Sequence, residues 1–104
     1  MNRIIILGST GFLGKSLCKK LSDKKLNIKC MVHKKQKNLQ KNEFFGDVLD
    51  KKSLLKIVKD NDVIVNLVGQ YSKNLSKFFD INIKGGLNLI EIAKNKKNIK
   101  LIFA

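Results

Sequence analysis

Apolar residues along the chain fall into short runs that alternate between two periods. Arg3 to Leu7 is rich in β-branched residues and ends at Gly8, which predicts a strand buried on both faces. Leu13, Leu17 and Leu21 then recur four apart, with Lys15, Lys19 and Lys20 mainly off their face, the mark of an amphipathic helix. Leu26 to Val32 returns to strand character, with Ile28, Cys30 and Val32 alternating. Lys34 to Asn42 is polar and reads as a loop or a ragged helix. Glu43 to Gly46 predicts a short third strand. Asp50 is placed to cap a helix carrying Leu54, Leu55, Ile57 and Val58. Asp62 to Val68 predicts a fourth strand, closed by Gly69. Ser76 is placed to cap a longer helix with Phe79, Ile83, Leu87 and Ile90 on its inner face, and Ile99 to Phe103 predicts a fifth strand.

Strands alternating with helices require crossover connections, hence an α/β protein with a parallel sheet covered on both faces. Right-handed crossovers leave few topologies, and a doubly wound sheet in the order 3-2-1-4-5 is the expected one. Ligands of such sheets bind beyond the carboxyl ends of the strands, at the switch point between the first and fourth. Gly8 and Gly69 close those two strands. With 104 residues, the chain makes one domain.

Apolar content of 43% and charged content of 29% are globular values. The net charge of +14 comes almost wholly from lysine, with Arg3 the only arginine. These lysines are scattered over helix faces and loops, and no aromatic residues interleave with them to stack bases, which argues against a nucleic-acid surface. Cys18 and Cys30 have neither metal-ligand spacing nor a disulfide framework around them, so two reduced thiols are expected. No metal site is predicted. The N-terminal apolar run is too short for a leader and no stretch has the length of a membrane span, so the expected location is the cytoplasm.

The chemistry sits in "LGSTGFLGKS", residues 7–16. A triphosphate-binding loop needs Gly-x-x-x-x-Gly-Lys-Ser/Thr, but Ser9 stands where its first glycine belongs. The aspartate such a site wants at the end of a later apolar strand is replaced by Asn66. A dinucleotide loop fits better. Gly8 permits a sharp turn, Gly11 lets a pyrophosphate rest against bare backbone, and Gly14 lets the helix lie close on the sheet. The helix N-terminus offers amides and partial positive charge to phosphate, while Ser9 and Thr10 are placed to add hydroxyl donors or cap the helix. The alternative is a glycine-rich turn with no ligand.

In this setting the chain resembles the short-chain dehydrogenase/reductase superfamily, in particular its extended and atypical branch of the epimerase/dehydratase type. "GSTGFLG" at 8–14 resembles that branch's Gly-x-x-Gly-x-x-Gly loop, and "GDVLDKKSL" at 46–54 its adenine-side segment. "DVIVNLVG" at 62–69 resembles its fourth strand. "DINIKGGLNLIEIAK" at 80–94 resembles its Asn-x-x-Gly-Thr-x-Asn helix, with Gly86 in place of the threonine. The "NLVG" form also resembles the group around the Rossmann-fold accessory subunit of respiratory complex I. The resemblance implies a Rossmann-like domain in which Gly8, Gly11, Phe12, Leu13 and Gly14 cradle the pyrophosphate. It further implies that Asp47 and Val48 flank the adenine, and that Val68 and Gly69 line the path to the nicotinamide ribose.

An acidic residue after the second strand would bind a ribose 2′-OH. Here His33, Lys34 and Lys35 stand instead, and positive charge favours the 2′-phosphate, hence NADP(H) over NAD(H). The family's chemistry needs a tyrosine with a lysine four residues on. The only tyrosine, Tyr71, has Leu75 there, so this chain offers no catalytic residue. The expectation is the N-terminal nucleotide-binding half of a longer fold, truncated after the fifth strand. That strand's edge would be left for a missing C-terminal half or a protein partner.

Overall fold

A computed structural model describes residues 2–9, 11–33, 38–68 and 74–103. The strands are β1 (Ile4–Leu7), β2 (Ile28–Val32), β3 (Glu43–Phe45), β4 (Val63–Asn66) and β5 (Lys100–Phe103), and the helices α1 (Phe12–Asp23), α2 (Lys51–Ile57), α3 (Leu75–Phe79) and α4 (Gly85–Asn95). All strand pairs are parallel and the sheet runs β3-β2-β1-β4-β5, the doubly wound order of the Rossmann-like fold.

β1 lies at the centre because its run of isoleucines can be buried on both sides. Ile5 and Leu7 point to one face and pack with Leu54 of α2 and with Leu89 and Ile92 of α4. Ile6 points to the other, with Leu17, Cys18 and Leu21 of α1. Ile5, Ile6 and Leu7 are wholly buried, and each such side chain contributes roughly 1.5–3 kcal/mol. The sole arginine ties the lower end of the sheet together. Arg3 donates through Nη2 and Nε to the two carboxylate oxygens of buried Asp62, at 2.7 and 3.2 Å, and through Nη2 to the carbonyl of Ile57.

Residues 38–42 enter β3 as a turn, the loop alternative for that stretch; residues 34–37 lie outside the described part. Three local expectations are corrected. Asn74, not Ser76, caps α3, its Oδ1 accepting from the amides of Ser76 at 3.0 Å and Lys77 at 3.3 Å, and Asp50 occupies the α2 cap position without a side-chain cap bond.

The third correction concerns the long helix. It is interrupted by a π-helical segment, Asp80–Lys84. The wider turn of that segment rotates α4 relative to α3, so a stripe spaced as in a continuous α-helix does not stay on one face. Gly85, Leu89 and Ile92 face the core. Phe79 (50% exposed), Ile83 (44%), Leu87 (58%) and Ile90 (41%) face out.

Candidate dinucleotide site

The β1–α1 junction is shaped by its glycines. Gly8 has φ +87°, a conformation open to glycine and strained for other residues, and a Cβ there would lie 2.8 Å from the Leu67 carbonyl carbon. A Cβ on Gly14 would overlap the Gly8 carbonyl oxygen and lie 2.8 Å from its carbon. Helix α1 therefore approaches the end of β1 backbone to backbone. Gly11 is different: its Cβ would meet only the Gly8 carbonyl oxygen, at an ordinary 3.6 Å. Among the described residues nothing in the packing requires a glycine there, whereas an anion approaching the backbone would.

Gly11 is the N-cap of α1, and among the described residues no side chain caps that helix. The Gly11 amide donates to the Gly8 carbonyl at 3.2 Å. Phe12, Leu13 and Gly14 make up the first turn, whose amides have no helical carbonyl behind them. Ser9, read from the sequence as a hydroxyl donor or a helix cap, does not cap α1. Its hydroxyl donates to the Met31 carbonyl at 2.6 Å, and the residue is buried, which locks the loop to β2. Phe12 and Leu13 carry exposed side chains (92% and 58%), so any part they have in holding phosphate belongs to their backbone.

A cleft of about 540 Å³ opens along the carboxyl ends of β1 to β4, within the range of about 300–1,000 Å³ usual for ligand pockets. Of the expected residues it brings together Gly8, Gly11, His33, Asp47, Val48 and Val68. Thr10, Lys34 and Gly69 lie outside the described residues. Met31, Leu67, Lys77 and Ile81 also line it without having been expected. The α3 residues come in because Asn74 starts that helix beside the crevice, a cap signal that Ser76 obscured in the sequence.

The adenine-side loop is held from two directions. Ser53 Oγ accepts from the Asp47 amide at 3.1 Å and donates to the Asp50 carbonyl at 2.7 Å. The Asp47 carboxylate in turn accepts from the Leu49 amide at 2.9 Å. From α4, Asn88 Nδ2 donates to the Val48 carbonyl at 2.8 Å, and a Cβ on Gly85 would lie 2.9 Å from Val48 Cγ2. The "GDVLDKKSL" and "NIKGGLN" stretches are thus two halves of one support, which presents Asp47 and Val48 to the cleft. His33 Nε2 stands 3.4 Å from Asp47 Oδ2, so the residue after β2 and the carboxylate after β3 share one corner. No cluster of metal-binding side chains exists among the described residues, and none of their helices is long and apolar enough to cross a membrane.

Residues 4–104 match the NAD dependent epimerase/dehydratase family. The chain is 32% identical over 119 positions to the UDP-glucose 4-epimerase of Mycoplasma genitalium, covering 98% of this chain and 35% of that protein. It is 28% identical over 109 positions to the photosystem II assembly factor Ycf39 of Cyanophora paradoxa, covering 96% and 33%. The uronate dehydrogenase of Agrobacterium tumefaciens, solved also as a mutant complexed with NAD, superposes with a TM-score of 0.82 at 25% identity, over 100% of this chain and 40% of that one. The chain spans about a third of the length of the curated relatives it matches. By this match and by its fold, the chain belongs to the NAD dependent epimerase/dehydratase family.

Proposed function

We propose that this chain binds a nicotinamide dinucleotide across the carboxyl edge of its sheet and does not turn over substrate by itself. The observation that carries the reading is the contrast among the three glycines. Gly8 and Gly14 are required by backbone packing, whereas Gly11 borders the open cleft and no atom of the described residues crowds it. The diphosphate lies against the first turn of α1, the adenine end meets His33, Asp47 and Val48, and the nicotinamide end runs toward Val68 and Gly69. The dinucleotide supplies hydride chemistry when bound; the chain's own residues bind and orient it.

NADP(H) is preferred over NAD(H). His33 stands where an acid would repel a 2′-phosphate, Lys34 and Lys35 come directly after it, and Lys77 adds positive charge from α3. Asp47, beside His33, opposes this preference in part, and Asp47→Asn is expected to strengthen it. Titration with NADPH and NADH, read by nucleotide fluorescence at low and high salt, tests the reading. Tighter NADPH binding that persists in salt is expected, since contacts inside a cleft are screened less than exposed lysines. Equal affinities would remove the preference, and binding that vanishes in salt would remove the site.

In the longer family fold this domain serves a sugar-nucleotide epimerase, dehydratase or reductase, a reading supported by the Mycoplasma genitalium relative. The tyrosine–lysine pair would then come from chain beyond this domain. The second reading is an accessory module that holds the dinucleotide without chemistry, as in the complex I group; the assembly factor among the relatives favours it. Both fit a cytoplasmic, reducing location, in which Cys18 and Cys30 rest as thiols. Both also place a partner surface at β5, where Ile102 and Phe103 stand half-exposed on the sheet edge.

A further inference from the structure

Cys18, midway along α1, and Cys30, central in β2, hold their Sγ atoms 2.7 Å apart. Both are free thiols. Cys30 is buried with Ile6 and Ile28 beneath α1. Cys18 is half-buried, and both cysteines line a small surface cleft of about 230 Å³, whose charged members among the described residues are Lys15 on the same helix and Glu43 at the start of β3. A buried thiol alone is a small apolar filler. Two thiols in contact, one of them reachable from solvent, form a pair in which the first can be oxidised and the second can resolve it.

We propose that Cys18 and Cys30 form a two-electron oxidation site for hydroperoxides, closing to an intramolecular disulfide that clamps α1 onto β2. Cys18 is the entry thiol because it is the more exposed of the two, half-buried where Cys30 is buried. Its thiolate attacks the peroxide, forming an S–O bond as the O–O bond breaks. The leaving alkoxide or hydroxide takes up the thiol proton and departs as alcohol or water. Cys30 sulfur then attacks the Cys18 sulfenic acid, the S–O bond breaks, and hydroxide leaves with the Cys30 proton as water. Two thiols have supplied two electrons and the peroxide has accepted them.

Burial raises both thiols above their ordinary range, Cys30 to about 12, so few thiolates exist at neutral pH and the reaction is slow. Once formed, the bond is shielded by the same packing. It joins the two elements whose ends carry Gly11 and His33, so it fixes their spacing below the dinucleotide cleft. It also closes a loop between cysteines 12 positions apart, which restricts the unfolded chain.

The test treats the reduced 104-residue chain with hydrogen peroxide, then measures intact mass, maps peptides and records thermal melting. The expected product is a monomer lighter by two hydrogens, with Cys18 and Cys30 peptides cross-linked. Its melting temperature rises by roughly 10 °C and dithiothreitol reverses the change. In Cys30→Ala, Cys18 should stop at a sulfenic acid that dimedone traps; in Cys18→Ser, buried Cys30 should stay reduced. Added oxygen without a cross-link, a disulfide between two chains, or an unchanged mass in the unsubstituted protein would each overturn the proposal. That readout needs no variant to fold.

Discussion

At the scale of single residues, the three glycines of the opening loop separate packing from binding. A Cβ on Gly14 overlaps the Gly8 carbonyl, so Gly14→Ala is expected to lower stability by about 1–3 kcal/mol, the usual range for overpacking. Urea denaturation checks this, and a neutral substitution would contradict the close approach of α1 to β1. Gly11→Val should leave the denaturation midpoint nearly unchanged. The motif already assigns the turn to Gly8, the close helix approach to Gly14 and the pyrophosphate to Gly11, and the fold shows the crowded backbone that requires the first two. Ser9 shows the limit of that reading: its loop position suited a phosphate or a cap, yet the Met31 carbonyl claims its hydroxyl.

Cys30 gives a residue-scale prediction in pH. Burial, with help from the Cys18 contact, raises its thiol from 9.0 to about 12. The native state therefore holds this proton more tightly than the unfolded chain does. That stabilisation is fully present below pH 9 and is lost as pH rises toward 12. Under reducing conditions the unsubstituted protein should lose stability across that window more steeply than Cys30→Ala, whose own titration lacks this group. Parallel denaturation profiles would contradict it.

At the scale of elements, five strands and the alternation of helices were legible because β-branched runs and leucine spacing report burial directly. Strand ends came out shorter than the runs suggested, since the outer residues of each run lie beyond the paired segment. The region from Leu75 to Asn95 was misread because residue spacing assumes one continuous period, and the π-helical segment Asp80–Lys84 breaks it. What the sequence located without explaining was the joint action of Ser53, Gly85 and Asn88 on the Asp47–Val48 loop. Those residues lie far apart along the chain and meet only through the α2–α4 packing. Asn88→Ala removes the donor to the Val48 carbonyl and should cost about 1–3 kcal/mol if that carbonyl stays unpartnered, while weakening dinucleotide binding. Unchanged stability and unchanged affinity together would remove Asn88 from the support.

At the scale of the whole molecule, the uncovered surface is the prominent feature. Ile6, Val65 and Ile102 lie in one row across the sheet, and the α1 side of that row is packed at Ile6 but half-open at Ile102 (50% exposed). On the other side, Phe103 (52% exposed) lies beside α4, where it approaches Gly86. Apolar residues at an unpaired strand edge invite further pairing. The isolated chain should therefore self-associate as its concentration rises, and Ile102→Lys should shift it toward monomer without unfolding it. Sedimentation velocity over a concentration series checks this; a monomeric parent chain would show that the edge needs no cover. The net charge of +14 opposes association at low salt, so self-association should strengthen as salt is added.

The central claim is that the first turn of α1 receives a dinucleotide's diphosphate, and amide NMR reads that turn directly. Titration of the 15N-labelled chain with NADPH should move the amides of Gly11, Phe12, Leu13 and Gly14 most, with Asp47 and Val48 moving less, and should move none of them in Gly11→Val. Shifts confined to surface lysines and abolished by salt, with the 11–14 amides still, would contradict the account.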